Sequence, residues 1–238
     1  MRLNQWIVNP NLMLMLEINQ LEKRYKKQIV LSNLSHQFEQ GVTVITGKSG
    51  VGKTTLLRLC ASAEKPSSGQ ILWFGKAINK SLKKYRLVLG YAPQQIDFPE
   101  DLSALDFMCH IGAFKNLSYS DCYNQTQQLL EKLDLIKDIH KPIQAYSGGM
   151  RRRLGLAQAF LGQPECLIID EPSAELDPFN AEIVHNLIFE KAKNATVLMT
   201  THLSDSLKNY QYRTLHLGND LSNNSTDFSA PLLESEKR

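Results

Sequence analysis

The sequence predicts an α/β fold with a parallel β-sheet core, led into by short antiparallel strands and interrupted by a helical segment. Three observations carry that expectation. Gly47-Lys48-Ser49-Gly50-Val51-Gly52-Lys53-Thr54 fits the phosphate-binding pattern Gly-x4-Gly-Lys-Ser/Thr, between a β-branched run and a run with helix-spaced apolar residues. Cys166-Leu167-Ile168-Ile169 and Ala195-Thr196-Val197-Leu198-Met199-Thr200-Thr201 are continuous apolar runs a helix length apart, which suits strands buried on both faces of a parallel sheet. Between the loop and those runs, Leu129, Leu130, Leu133 and Ile136 recur at helical spacing, so residues 95 to 163 are expected to be helical.

Taken in order, residues 1–12 read as a leader, 13–217 as the folded domain and 218–238 as a polar tail. Leu14, Leu16 and Ile18 alternate, as do Leu34, His36 and Phe38, and both stretches predict short antiparallel strands. Val42-Thr43-Val44-Ile45-Thr46 is the strand before the phosphate loop, and Thr54 to Ala61 is the helix after it. Pro66-Ser67-Ser68-Gly69 turns the chain into a strand over Gln70 to Gly75. Arg86-Leu87-Val88-Leu89-Gly90-Tyr91 predicts another strand, ending at Pro93-Gln94. Ser103-Ala104-Leu105-Asp106 has the form of a capping box opening a helix. The tail beyond Leu217, rich in Asn, Ser, Asp and Glu, is expected to be poorly ordered.

Composition excludes several classes. With 238 residues and 42% hydrophobic content the chain suits one large α/β domain or two small ones. Its densest early apolar stretch, Leu12-Met13-Leu14-Met15-Leu16, is too short for a bilayer span or a signal-peptide core. Four scattered cysteines, Cys60, Cys109, Cys122 and Cys166, lack metal spacing and read as buried or idle thiols in a reducing compartment. The net charge of +3 gives nucleic-acid binding weak support, because the basic runs at Lys23 to Lys27 and Arg151 to Arg153 interrupt structured segments.

The phosphate loop implies a nucleoside triphosphate. Its glycines let backbone N–H groups turn inward around phosphates, and the helix N-terminus adds partial positive charge. Lys53 is expected to reach the β- and γ-phosphates, and Thr54 to ligate Mg²⁺. Asp170 and Glu171, adjacent at a strand end, are expected to point to opposite sides and so take different roles. Asp170 would hold Mg²⁺ directly or through water, and Glu171 would polarise an attacking water. Ser147-Gly148-Gly149 precedes a helix lined by Met150, Leu154, Ala157 and Leu161, which makes a second anion-binding end. One nucleotide does not need two such loops from one chain, so this one is read as serving the ATP of a partner subunit.

With these motifs in this order, the chain resembles the nucleotide-binding subunit of ATP-binding-cassette (ABC) transporters across residues 14 to 217. The resemblance implies a P-loop NTPase of the ABC type, with antiparallel β and helical subdomains beside the parallel core. It implies that Tyr25 stacks on adenine, and that Gly47 through Thr54, with Thr55, bind the nucleotide. Gln94 would be the glutamine that senses Mg²⁺ and the attacking water and couples to the membrane subunit, beside a docking segment that contains Phe98. Ser147-Gly148-Gly149 matches the family signature, with Tyr146 where leucine and Met150 where glutamine are more usual, and the Arg-rich continuation looks like exporters. Asp177 would be the acid of the loop that crosses the dimer interface. His202 would be the switch histidine that bonds the γ-phosphate and holds the water with Glu171. The implied partners are transmembrane permease subunits and a second ABC ATPase subunit, with the chain peripheral on the inner face of the cell membrane. An importer subunit, a soluble ABC ATPase outside transport and a non-hydrolysing module on the same fold remain alternatives.

Overall fold

The computed structural model describes residues 14–201, 204–218 and 226–229. The chain opens with β1 (Leu14–Tyr25) and β2 (Gln28–Glu39), an antiparallel pair in which Leu16 faces Phe38 and Ile18 faces His36. Leu16, Ile18, Leu34 and Phe38 are buried, so the alternation read from the sequence marks one covered face. β3 (Gly41–Thr46) runs into the phosphate loop and α1 (Lys53–Cys60) leaves it. β4 (Ser68–Trp73) and β5 (Lys76–Ala77) form a hairpin through Phe74 and Gly75, whose φ values of 47° and 70° put both turn residues in the left-handed region. That matches the right-handed twist of a two-residue hairpin.

The sequence expectation of a strand over Arg86 to Tyr91 is corrected. α2 (Leu82–Val88) takes up the first half, and β6 (Leu89–Ala92) begins only at Leu89. Tertiary burial decides this: Tyr85 is 2% exposed, and its hydroxyl donates to the Cys60 carbonyl at 2.8 Å, docking α2 on the end of α1. Residues 95–103 are also not helical. The first helix of the next segment, α3 (Ala104–Phe114), starts after Ser103, whose hydroxyl accepts from Asp106 N–H at 3.1 Å and donates to the Asp106 carboxylate at 2.6 Å. α4 (Tyr119–Lys132) and α5 (Gly148–Phe160) complete this helical part.

β7 (Cys166–Ile169), α6 (Pro178–Ala192), β8 (Thr196–Thr200) and β9 (Tyr212–His216) return the chain to the core. β10 (Thr226–Ser229) then pairs antiparallel with β9. Those four residues fall in the segment expected as a polar tail, and they pair where β9 offers an edge whose backbone groups a further strand can satisfy. The leader lies outside the described residues.

Among the described residues the strands form two sheets, ordered β2-β1-β4-β5 and β10-β9-β3-β8-β7-β6. The second is parallel throughout except for β10. Its strands feed two separate cores by simple alternation. Val42, Val44, Leu167, Ile169, Val197 and Met199 face α3 to α6, while Ile45, Ile168 and Leu198 face α1 and the antiparallel sheet. Burial on both faces is what the apolar runs required. The C-terminal ends of β3, β6, β7 and β8 therefore meet at one edge, where the loops carrying function emerge. No helix among the described residues is long and apolar enough to cross a membrane.

Candidate functional site

The phosphate loop is shaped by contacts that exclude side chains. Gly47, at φ 141°, would put a Cβ 2.5 Å from the Leu217 carbonyl oxygen, and Gly52, at φ 109°, would put one 3.0 Å from the side chains of Val30 and Leu31. Both positions need glycine for conformation and for space. Lys53 is 9% exposed, and its ammonium donates to the carbonyls of Gly47 at 2.9 Å and Lys48 at 3.2 Å. α1 has no acidic residue in its first turn, so the positive end of its dipole is not neutralised from within the helix.

Facing this loop is the end of β7. Asp170 and Glu171 are 2% and 7% exposed. The expectation that they point to opposite sides is overturned, because Glu171 leaves the extended region at φ 54° and both residues line one cavity. Strand alternation stops where the strand stops. A threonine organises the pair: Thr200, the last residue of β8, donates its hydroxyl to Asp170 Oδ1 at 2.5 Å and accepts the Glu171 N–H at 3.0 Å. Asp170 Oδ2 is buried with no hydrogen-bond partner among the described residues. A buried carboxylate oxygen left without a donor among the described residues, sharing a cavity with Thr54 and Gln94, is a hard oxygen set that fits Mg²⁺.

The cavity measures about 340 Å³. Ser49, Gly50, Gly52, Lys53, Thr54 and Thr55 line one side, and Gln94, Asp170 and Glu171 the other. Val30 of β2 contributes an apolar patch that the sequence reading did not include. Gly47, Lys48 and Val51 form the loop behind this lining, the first two through the carbonyls that hold Lys53.

Other expected residues stand outside the cavity lining. Tyr25 is 40% exposed and donates its hydroxyl to Glu64 at 2.5 Å, with Lys23 both 4.9 Å from its ring centroid and 3.0 Å from the same carboxylate. Desolvation and then the bond to Glu64 raise the Tyr25 phenol above its ordinary value. Ser147 caps α5, accepting from Met150 N–H at 3.3 Å. Asp177 caps α6, and the Asn180 backbone N–H, at 3.0 Å, leads in holding its carboxyl below the usual range. Gly148 and Gly149 open α5; a Cβ on either would meet nothing nearer than 3.8 and 3.6 Å. His202 lies outside the described residues.

Two residues central to this geometry carried no role in the sequence reading. Thr200 stands in the sequence as the end of an apolar run and the start of Thr200-Thr201-His202, and neither position tells that its hydroxyl meets two acids from β7. Arg152 stands in the sequence only within a basic run and in the exporter-like continuation of the signature.

Comparison with known proteins identifies the family and the fold. The family model described as ABC transporter matches residues 31–174, more than half of the chain. The uncharacterized ABC transporter ATP-binding protein YxlF of Bacillus subtilis (strain 168) is 37% identical over 190 residues, which cover 79% of this chain and 63% of YxlF. The lipoprotein-releasing system ATP-binding protein LolD of Buchnera aphidicola subsp. Schizaphis graminum is 35% identical over 188 residues, covering 75% of this chain and 82% of LolD. The Nod factor export ATP-binding protein I of Cupriavidus pinatubonensis is 32% identical, with 82% and 61% covered. The chain thus spans less than two thirds of YxlF and of the Nod factor protein. Among solved structures, an ATP binding subunit of an ABC transporter superposes with a TM-score of 0.80 at 25% identity, covering 89% of this chain and 90% of that one. A dimeric bacterial ABC transporter cassette superposes at 0.77, with 23% identity and 85% and 94% covered. Motif order, cavity and architecture converge, and the chain belongs to the ABC transporter family, with the fold of its ATP-binding cassette.

Proposed function

We propose that this chain hydrolyses ATP to power transport, and specifically export, through separate membrane-spanning subunits. The observation that carries the reading is the single cavity in which the phosphate loop faces Gln94, Asp170 and Glu171. Loop N–H groups and Lys53 bind the triphosphate, the lysine exchanging the Gly47 and Lys48 carbonyls for phosphate oxygens. Glu171 accepts a proton from the attacking water, and Gln94 and His202 help orient that water. Thr54, Asp170 and Gln94 are the residues that would hold Mg²⁺, which when bound neutralises charge on the β- and γ-phosphate oxygens. Tyr25 stacks on the base.

Two copies are needed to complete each site. Among the described residues nothing requires glycine at 148 or 149, since neither has a positive φ and a Cβ has room at both. Their bare backbone N–H groups at the start of α5 suit a phosphate presented from outside, as would arise if a second cassette faced this one. Asp177 belongs to the same face in this reading. The export direction is supported by relatives named for lipoprotein release and Nod factor export.

The test is Glu171→Gln in the full chain. ATP binding should persist while turnover falls roughly 10²- to 10⁴-fold, with ATP-bound dimers accumulating in light scattering. Turnover at the parent rate would remove Glu171 from catalysis. For the transport part, the chain should fractionate with membranes when its polytopic partner is co-expressed. A chain that stays out of every membrane fraction would favour a soluble ABC factor.

A further inference from the structure

The three arginines that follow the signature glycines on α5 go in three directions. Arg151 pairs with Glu100 at 2.7 Å. Arg153 is buried and donates to the Leu133 carbonyl at 2.9 Å, inside the helical part. Arg152 instead reaches the nucleotide cavity from behind. Its Nη1 donates to the carbonyls of Pro93 at 2.9 Å and Gln94 at 2.8 Å, and its Nη2 donates to the carbonyls of Asp170 and Glu171. One planar fork thus gives one nitrogen to each loop that supplies the catalytic side of the cavity.

The consequences for Glu171 are specific. Its φ of 54° is uncommon for a residue with a side chain, and both ends of its peptide frame are held: the N–H by Thr200 and the carbonyl by Arg152. The base on which Arg152 stands is stiff. Along the same face of α5, a Cβ on Gly155 would lie 2.5 Å from Ile96 Cδ1, and Gln158 donates to the Tyr91 carbonyl at 2.6 Å. Positions 152, 155 and 158 recur at helical spacing, so α5 is fastened along β6 and the glutamine loop. The same helix carries Ser147, Gly148 and Gly149 at its start.

We infer that Arg152 is a positioning residue for ATP hydrolysis: it fixes the backbones of Gln94 and Glu171 at one spacing and couples both to the helix that begins with Ser147-Gly148-Gly149. The inference rests on reading the cavity as an ATPase centre. A shift of the signature loop on engaging a second copy's nucleotide moves α5, and Arg152 passes that movement to both water-orienting residues. A lysine keeps the charge but concentrates its donors on one nitrogen, which cannot serve two loops in the manner of a guanidinium fork.

The experiment compares Arg152→Lys, Arg153→Lys and Glu171→Gln with the parent chain. Arg152→Lys should lower kcat roughly ten- to a hundredfold, as small misplacements of catalytic groups do, while KM for ATP stays within about twofold. Arg153→Lys, on a different face of the same helix, should leave kcat within about twofold and act on the thermal midpoint instead. Methylguanidinium, and not methylammonium at equal ionic strength, should restore turnover to Arg152→Ala. Amide hydrogen exchange reads the same question without turnover: the amides of Gln94, Gln95, Asp170 and Glu171 should exchange faster in Arg152→Lys and not in Arg153→Lys. Parent-like kcat and parent-like exchange in Arg152→Lys overturn the inference, as does an equal loss of kcat in Arg153→Lys. Where Glu171→Gln is inactive and Arg152→Lys keeps the parent's kcat and exchange, only this inference falls. Where Glu171→Gln turns over normally, the reading of the site falls, and this inference with it.

Discussion

Thr200 shows how one hydroxyl can set the chemistry of two acids. It donates to Asp170 Oδ1 and accepts from the Glu171 N–H, all three within a buried layer. Replacing it with valine keeps the shape and strands a buried N–H and a buried carboxylate oxygen. Thr200→Val should therefore cost about 1–3 kcal/mol of stability in urea unfolding, while Thr200→Ser, which keeps the hydroxyl, should cost much less. Equal losses in both variants would mean that the methyl, through packing, is the part that matters. At this scale the sequence disclosed residue identities better than directions. The phosphate-loop residues and the two carboxylates are found where the motifs put them, because spacing on a strand–loop–helix unit is a local property. The relation between Asp170 and Glu171 was not legible, because it depends on a left-handed φ that Thr200 and Arg152 hold from elsewhere in the fold.

At the scale of elements, boundaries were set by contacts that no local pattern announces. β6 begins late because Tyr85 is drawn into a helix that docks on α1. Gly90 then lies where a Cβ would come within 2.0 Å of the Ala159 carbonyl, so β6 and α5 meet backbone to backbone. Phe98, expected beside a docking groove, packs edge-on against Phe107 at 5.2 Å, so a charge placed there would test stability before docking. Lys115, just past α3, fastens the helical part to the core by donating to the carbonyls of Arg86, at 2.8 Å, and Leu89. Burial pushes its ammonium down to about 8 from 10.5. Below that value Lys115 is charged in both folded and unfolded chains, and above 10.5 it is neutral in both. Between them the unfolded chain binds more protons, so the Lys115 contribution raises stability with pH, by about 1–3 kcal/mol over the window. The unfolding free energy of the parent minus that of Lys115→Met should rise from about pH 8 to pH 10.5. A flat difference would mean that the ammonium is not desolvated as the packing implies.

For the whole molecule, the parallel core was legible because strands covered on both faces are dominated by apolar residues, as 166–169 and 197–199 are. The antiparallel sheet was legible by alternation. What a single chain leaves open is the purpose of the α5 N-terminus, which stands apart from the cavity lining and carries two glycines that its own packing does not demand. Gly148→Asp discriminates between the two accounts of that surface. Within the chain the new side chain has room, the nearest atom to a Cβ being Glu175 Oε2 at 3.8 Å, so the thermal midpoint should stay within a few degrees of the parent. Binding of ATP by the monomer, read by titration, should also be unchanged, because the phosphate loop is untouched. Across a dimer interface the same carboxylate would confront the phosphates of a second copy's nucleotide, where like charges repel and the bare N–H groups are covered. ATP-dependent dimerisation in light scattering and steady-state hydrolysis should then disappear together. Loss of ATP binding by the monomer would place this loop at its own nucleotide, and dimers that still form with Mg-ATP would show that the second copy is engaged through some other face.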